Sequence, residues 1–117
     1  MTDMLTRSFS KRELACKCCG VCNMDQELLT RLQTFRDLLG APLVIASAYR
    51  CPRHNKAVGG ASGSMHLQGK AVDPVIIPKL RFRRIDLAHK LEFSGIGLGK
   101  SKMHLDLSPK VNRSWSY

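Results

Sequence analysis

Two short stretches of the sequence carry side chains that could hold a metal ion. In the first, His66 is followed seven residues later by Asp73, with Gly69 between them. In the second, His104 and Asp106 are two residues apart. Two imidazoles and a carboxylate suit a catalytic zinc, which takes three protein ligands and leaves a fourth position for water. Either stretch alone is a weak indication, because histidines on strands more often serve a structural purpose.

A separate cluster of cysteines offers a second kind of site. Four of the five cysteines lie within seven residues, and the full set is Cys16, Cys18, Cys19, Cys22 and Cys51. The pairs Cys16/Cys19 and Cys19/Cys22 have the Cys-x-x-Cys spacing that favours a structural zinc, with Cys51 as a candidate distal ligand. The spacing matches no standard zinc finger or knuckle, and reduced, partly buried thiols are the competing interpretation. An odd number of cysteines argues against a disulfide framework.

The helices and strands that must position these residues follow no regular βαβ alternation, which predicts the α+β class. A core-packing helix is predicted over about 24–39, with Asn23 as its N-cap, Gln26 closing a capping box and Gly40 at its end. Its apolar stripe contains Leu28, Leu32, Phe35 and Leu39. Strands are predicted over 42–47, 69–77, 94–98 and 102–108, and shorter helices over 52–58 and 79–91. Pro74 places the later half of the second strand at an edge or a bulge.

The two ends of the chain are predicted to pack onto this framework. Residues 1–23 look irregular, with Phe9 and Leu14 as anchors onto the core. The tail 109–117 is expected to pack back onto the domain through two aromatic residues, Trp115 and Tyr117.

Length and composition limit the class of protein. The chain has 117 residues, which fits one domain spanning 1–117. Its 44% apolar and 24% charged residues are typical of a globular protein. No apolar run reaches the roughly 18 residues of a membrane span, and the N-terminus has no apolar core like that of a signal peptide, so synthesis in a cytoplasm is expected. The net charge of +10 favours a polyanionic partner, which is nucleic acid, anionic lipid or the acidic polymers of a bacterial wall.

The residues around His66 extend the first stretch into a longer pattern. Its members Ser64, His66, Gly69, Ala71 and Asp73 match the S-x-H-x-x-G-x-A-x-D signature of the zinc D-alanyl-D-alanine peptidases. Further matches in the same order are Ser47-Ala48-Tyr49-Arg50 before this window, and Gly95-Ile96-Gly97 and His104-Leu105-Asp106 after it. Over about residues 8–108 the chain therefore resembles these cell-wall metallopeptidases, which are related in fold to the vancomycin-resistance D,D-dipeptidases and the hedgehog signalling domain.

The resemblance implies an antiparallel sheet flanked by helices and one catalytic zinc ion (Zn²⁺), bound by His66, Asp73 and His104. An aspartate ligand lowers the net charge of such a site and still lets the metal acidify water. Gly69 lets the backbone bend, so that ligands on either side of it can converge.

Arg50 is the residue that the resemblance implies for substrate recognition. Its guanidinium is a planar fork that matches a carboxylate, so it is expected to hold a peptide carboxylate or to polarise the scissile carbonyl during catalysis. Tyr49 and Ser47 are expected to line the substrate pocket with it. Ser64 belongs to the same substrate-binding group and is expected to support the loop that presents His66.

The general base departs from the pattern of the relatives. Many of them have an acidic residue three positions before the last histidine, and that position here is Ser101. Asp106 lies two residues after His104, so on a strand the two side chains share a face. Asp106 is therefore predicted to be the catalytic base, and its alternative role is to orient the imidazole of a metal ligand.

The function that follows is a zinc-dependent peptidase that hydrolyses the peptide part of bacterial peptidoglycan, like the endolysins of phages and prophages. It is expected to be a monomer that is made in the cytoplasm and reaches the wall after phage-mediated release. The excess of lysine and arginine is expected to bring it to the wall. Relatives cut D-Ala-D-Ala, D-Ala to diamino acid, or L-Ala-D-Glu bonds, so the bond stays open, as does the choice between carboxypeptidase and endopeptidase.

Two other functions compete with this one. The first is a non-catalytic, zinc-containing module that binds the cell wall on the same fold, and Ser101 in place of an acid keeps it open. The second is a basic nucleic-acid-binding protein that uses the cysteine cluster. It explains the charge, but it leaves the His66, Asp73 and His104 pattern unexplained, so no specific nucleic-acid partner is expected.

Overall fold

The computed structural model describes residues 3–76, 78–109 and 113–116. This part of the chain forms a five-stranded sheet from β1 (Ile45–Ser47), β2 (Ala71–Pro74), β3 (Gly95–Leu98), β4 (Met103–Asp106) and β5 (Arg113–Ser116). The strands lie in the order β1-β2-β4-β3-β5. The first four strands pair antiparallel, whereas β5 runs parallel to β3. The α+β class is confirmed, and the sheet is mixed instead of antiparallel because the tail adds a parallel strand at its edge.

The helices of the described residues are α1 (Lys11–Leu14), α2 (Gln26–Leu39), α3 (Pro52–Ala57) and α4 (Arg81–Lys90), with 3-10 turns at Met65–Gln68 and Pro78–Leu80. Each predicted helix and strand is present, and each is shorter than predicted. Helix α1 was not predicted; it begins with a capping box between Ser10 and Glu13.

The N-terminal cap of α2 differs from the prediction. Asp25, and not Asn23, is the capping residue, and its carboxylate accepts the N–H of Leu28 at 3.1 Å. The predicted capping box with Gln26 is therefore wrong, since the helix begins at Gln26 itself. The reason lies in a distant segment, because the backbone N–H of Asp25 donates to the carbonyl of Gly69 and fixes where the chain turns into the helix. Gly40 ends the helix in the left-handed conformation, as predicted.

The two faces of the sheet have different surroundings. Val72 on β2 pairs with Leu105 on β4, and both are fully buried in the core beside the apolar face of α2. Neighbouring residues on a strand point to opposite faces, so Asp73, His104 and Asp106 project from the other face. Helices therefore cover one face of the sheet, and the polar side chains of interest share the opposite face.

Both ends of the chain pack as predicted where the structure describes them. Phe9 and Leu14 are buried in the core. The tail residues 113–116 form β5, while Tyr117 lies outside the described residues. In the described part of the chain, no helix has both the length and the apolar character needed to cross a membrane.

Candidate metal centre

The loop that presents His66 depends on a sharp turn. Ser64 accepts the backbone N–H of His66 at 3.2 Å and begins a short 3-10 turn, as expected of a residue that supports this loop. Gly69 ends that turn with a φ of +67°, and a Cβ there would lie 2.0 Å from the carbonyl oxygen of Asn23. Only glycine fits both constraints. The chain then returns as β2, which carries Asp73 back toward His66.

The three predicted metal ligands converge. One donor atom from each of His66, Asp73 and His104 lies within 4.8 Å of the other two. The Oδ1 atom of Asp73 is 3.2 Å from Nε2 of His66 and 2.9 Å from Nδ1 of His104. His66 and Asp73 are only 2% and 4% exposed. Two imidazole nitrogens and a carboxylate oxygen, desolvated and within reach of a single ion, form a donor set that zinc accepts in catalytic sites.

On the side away from Asp73, each imidazole has a hydrogen-bond acceptor that fixes its orientation. Nδ1 of His66 donates to the carbonyl oxygen of Ala48 at 2.6 Å, which leaves Nε2 facing the cluster. Nε2 of His104 donates to Oδ2 of Asp106 at 2.7 Å, which leaves Nδ1 facing Asp73. Such partners fix the ring orientation and the tautomer of a metal-binding histidine. The structure thus gives Asp106 the position of the group that orients His104.

The ionisable groups of the site shift one another's pKa values. Burial raises the pKa of Asp73, but its interactions with the imidazoles of His104 and His66 outweigh this effect and hold that pKa well below the usual range. Burial lowers the pKa of His104, and hydrogen bonds to Asp106 and Asp73 outweigh this effect and raise it. The pKa of Asp106 is raised by burial and lowered, by a larger amount, by the hydrogen bonds from His104 and the backbone N–H of Ser108. Both carboxylates are therefore held ionised and ready to accept positive charge.

Arg50 lies beside the three ligands. Its Nη2 atom is 3.4 Å from Oδ2 of Asp73, and its Nε and Nη1 atoms donate to Ser47 and to the buried Asn55 at 3.1 and 3.2 Å. Ser47 thus acts through Arg50. Neither Ser47 nor Tyr49 is among the residues that line the cleft, whereas Ser64 is. Asn55 was not predicted to take part in the site, although it lies only five residues after Arg50, the residue that it positions.

The three candidate ligands line a cleft of about 560 Å³, a size that suits a short peptide. Its cationic side chains are Arg50, Lys102 and Arg113. Among the described lining residues, Asp73 and Asp106 are the two carboxylates. Ser101 is exposed and does not line the cleft, so no acidic group takes the place upstream of the last histidine.

The tail contributes two side chains to this site that were not predicted to lie there. The Trp115 ring lies 5.3 Å from that of His104, and Arg113 donates to Oδ2 of Asp106 at 3.2 Å. The Gly95 and Gly97 positions on β3 make room for this arrangement. A Cβ at Gly97 would lie 2.7 Å from the Trp115 ring, and one at Gly95 would lie 2.3 Å from the carboxylate of Asp106. The G-x-G spacing, read as two missing side chains on one face, was the available signal.

The cysteines form a second group away from the cleft. The thiols of Cys16, Cys19 and Cys51 lie within 4.8 Å of one another. Cys22, predicted with them as a ligand, is not in this group, and its thiol lies near Lys11 and Asp3.

Comparison with known proteins places these residues in a wider context. A family model described as peptidase M15 matches residues 7–108. The matched range includes the three candidate ligands, Arg50 and Asp106, and it stops short of Arg113 and Trp115. The chain is also similar to a phosphoribosylaminoimidazole-succinocarboxamide synthase of Brevibacillus brevis, at 39% identity over 84 residues. This alignment covers 68% of the chain and 33% of that relative, so the chain spans about a third of the relative's length.

Proposed function

This chain belongs to the peptidase M15 family, and from that premise we propose that it is a zinc-dependent peptidase that hydrolyses the peptide part of bacterial peptidoglycan, like a phage or prophage endolysin. The observation that carries the proposal is the convergence of His66, Asp73 and His104 at one end of a cleft. The family match confirms the resemblance found in the sequence and makes the chain a metallopeptidase with peptide substrates.

Zinc is the ion that suits these three residues. Nitrogen and carboxylate donors accept several first-row metals, but three protein ligands beside an open cleft are typical of catalytic zinc. When bound, zinc supplies Lewis acidity, which lowers the pKa of water and polarises a peptide carbonyl. Ala48 and Asp106 keep the two imidazoles turned toward the ion.

The side chains of the cleft divide the remaining tasks. Arg50 is positioned by Ser47 and Asn55, so its guanidinium can bind a substrate carboxylate or the oxygen of the carbonyl under attack. Asp106 is the lining carboxylate that is not a proposed ligand, which makes it the candidate acceptor for the proton of the attacking water. In the structure its Oδ2 already accepts a hydrogen bond from Nε2 of His104. We therefore assign it the orienting role and retain the base role as the prediction to test.

Charge supports the bacterial wall as the substrate. The cleft presents three cationic side chains, and the chain carries a net charge of +10. Wall polymers are acidic, so the net positive charge favours association with the wall. The stem peptides of peptidoglycan end in carboxylates, so the cationic side chains of the cleft favour binding of the peptide. The enzyme would then act at the wall, after release if it is made in the cytoplasm.

Digestion of purified peptidoglycan tests this function and identifies the bond. We expect fragments by mass spectrometry, loss of activity with a chelator and recovery with zinc. The masses distinguish D-Ala-D-Ala, D-Ala to diamino acid and L-Ala-D-Glu cleavage, and also a carboxypeptidase from an endopeptidase. Full activity of His66→Ala would refute the mechanism.

A non-catalytic module that binds the wall is the second candidate. It is favoured by Ser101 and by the engagement of Asp106 with His104, Ser108 and Arg113, which leaves no free carboxylate among the described lining residues. Wall binding without any turnover by the zinc-loaded protein would support it. Turnover that Asp106→Asn abolishes while zinc stays bound would exclude it.

A further inference from the structure

The second cluster of thiols has the geometry of a metal centre. Cys16, Cys19 and Cys51 come from two segments that are 32 residues apart at their nearest, yet their sulfur atoms lie within 4.8 Å of one another. The backbone N–H of Cys51 donates to the sulfur of Cys16 at 3.4 Å. A disulfide joins two sulfur atoms and leaves the third aside, whereas a tetrahedral ion uses all three.

The backbone around Cys16 forms a tight turn with its N–H groups facing a sulfur atom. Gly20 has a φ of +76° and its N–H donates to the carbonyl of Cys16 at 2.9 Å, while the N–H of Cys16 donates to Val21 at 2.7 Å. Backbone N–H groups of Cys51, Cys19 and Cys18 face the sulfur atom of Cys16. Donors in this position stabilise a thiolate, which is the form of cysteine that binds metals.

A fourth sulfur atom is available next to this group. Cys18 is exposed and interacts with Cys51. Its sulfur atom lies outside the group of three within 4.8 Å, so it must move closer to become a ligand. Cys22 is outside the group of three and packs, partly buried, against the apolar core. Sulfur ligands select zinc over harder ions such as magnesium and calcium.

We propose that Cys16, Cys19 and Cys51, with Cys18 as fourth ligand, bind a structural zinc ion separate from the catalytic centre. Four thiolates close the tetrahedron, so the ion has no open position for substrate. The nearby cation of Arg53 offsets part of the negative charge of the sulfur atoms.

The proposed centre joins the N-terminal segment to the strand end that carries Arg50. Cys51 follows Arg50 directly, and the N–H of Arg50 donates to the carbonyl of His66 at 3.1 Å. The adjacent N–H of Tyr49 donates to the carbonyl of Leu14. A bound ion would therefore stiffen the backbone that sets the position of Arg50, without contacting substrate.

Metal analysis of the full chain tests the proposal. Protein purified under reducing conditions with zinc is expected to hold two ions per chain, one at each centre. Cys19→Ser should lose one ion, and His66→Ala should lose the other. Cys19 is exposed, so its replacement disturbs packing least. Cys22→Ser is the matched control and should retain both ions.

Cobalt in place of zinc tests the same point without relying on any variant. Thiolate ligands are expected to produce a sulfur-to-cobalt charge-transfer band in the wild-type chain, and His66→Ala should keep it. Absence of that band in reduced wild-type protein would overturn the proposal, as would a chain mass that is lower by two hydrogens, which indicates a disulfide. Neither result depends on peptidase activity, so a failure here is distinguishable from a failure of the proposed function.

Discussion

The two clusters of candidate metal ligands are held in place in different ways. His66, Asp73 and His104 gather on one face of the sheet, and a side-chain or backbone acceptor stands behind each imidazole. The cysteine cluster comes from turns, and backbone N–H groups fix its sulfur atoms. The first cluster opens to a cleft, whereas four thiolates would close the second. This is the difference expected between a catalytic centre, which must admit substrate, and a structural centre, which ties two segments together.

The largest expected effect is the loss of activity when the cluster of His66, Asp73 and His104 loses a ligand. His104→Ala removes a ligand, so peptidoglycan cleavage should fall to the background level while about one zinc ion per chain, held by the cysteines, remains. His89→Ala is the matched control, because that histidine lies on the exposed side of α4. Cleavage and metal content measured on the same preparations check the prediction. Loss of both ions from His104→Ala would show that the two centres are not independent.

Disrupting the cysteine cluster should lower the stability of the fold instead. Cys51→Ser is expected to lower the free energy of unfolding by about 2–4 kcal/mol, because the apolar core forms without the ion and limits the loss. Cys22→Ser should cost less than about 1 kcal/mol, since its thiol is outside the cluster. Urea denaturation of zinc-loaded protein measures both. Equal losses in the two variants would contradict a structural role for the cluster.

Asp106→Asn separates the two roles of the carboxylate behind His104. Loss of an orienting partner typically weakens metal affinity about 10–100-fold, so zinc should dissociate at lower chelator concentration. If Asp106 is also the base, kcat should fall even when zinc is saturating. Chelator titration and kcat at saturating zinc report these roles separately. Unchanged values in both would remove Asp106 from the mechanism.

Sequence patterns predicted the features that depend only on residues close together in the chain. The signature around His66 and the apolar stripe of α2 were both found as expected, because each depends on residues within a few turns of chain. The N-cap of α2 was misplaced, because the position of Asp25 depends on Gly69, which lies 44 residues further on.

Features that depend on long-range pairing were not predictable in this way. The parallel pairing of β5 with β3 brings Trp115 to His104, and no periodicity within the tail indicates that partner. Spacing likewise did not separate Cys18 from Cys22. Both lie close to Cys19 in sequence, and in the structure Cys18 interacts with Cys51 whereas Cys22 packs against the core.

A smaller effect is expected where the tail packs against β3, beside His104. Gly97→Ala places a Cβ 2.7 Å from the Trp115 ring, so β5 must shift, at an expected cost of about 1 kcal/mol. In a Trp115→Ala background the same change meets no ring and should cost little. Urea denaturation of the two single variants and the double variant measures this coupling. Additive effects would mean that Trp115 does not press on Gly97 in solution.

The smallest effect is expected far from both centres, at an exposed carboxylate. Asp37 is paired with Arg7 and accepts a hydrogen bond from Gln33, and the pairing with Arg7 is the main reason that its pKa is lowered. A lowered pKa in the folded state stabilises the fold at neutral pH, and that contribution disappears as the pH falls below the ordinary aspartate pKa of about 3.9. Asp37→Asn should therefore lower the urea midpoint slightly at pH 7 and leave it unchanged where Asp37 is protonated, since solvent screens an exposed pair. A decrease of the urea midpoint at pH 7 as large as that of Cys51→Ser would contradict this screening of the exposed pair.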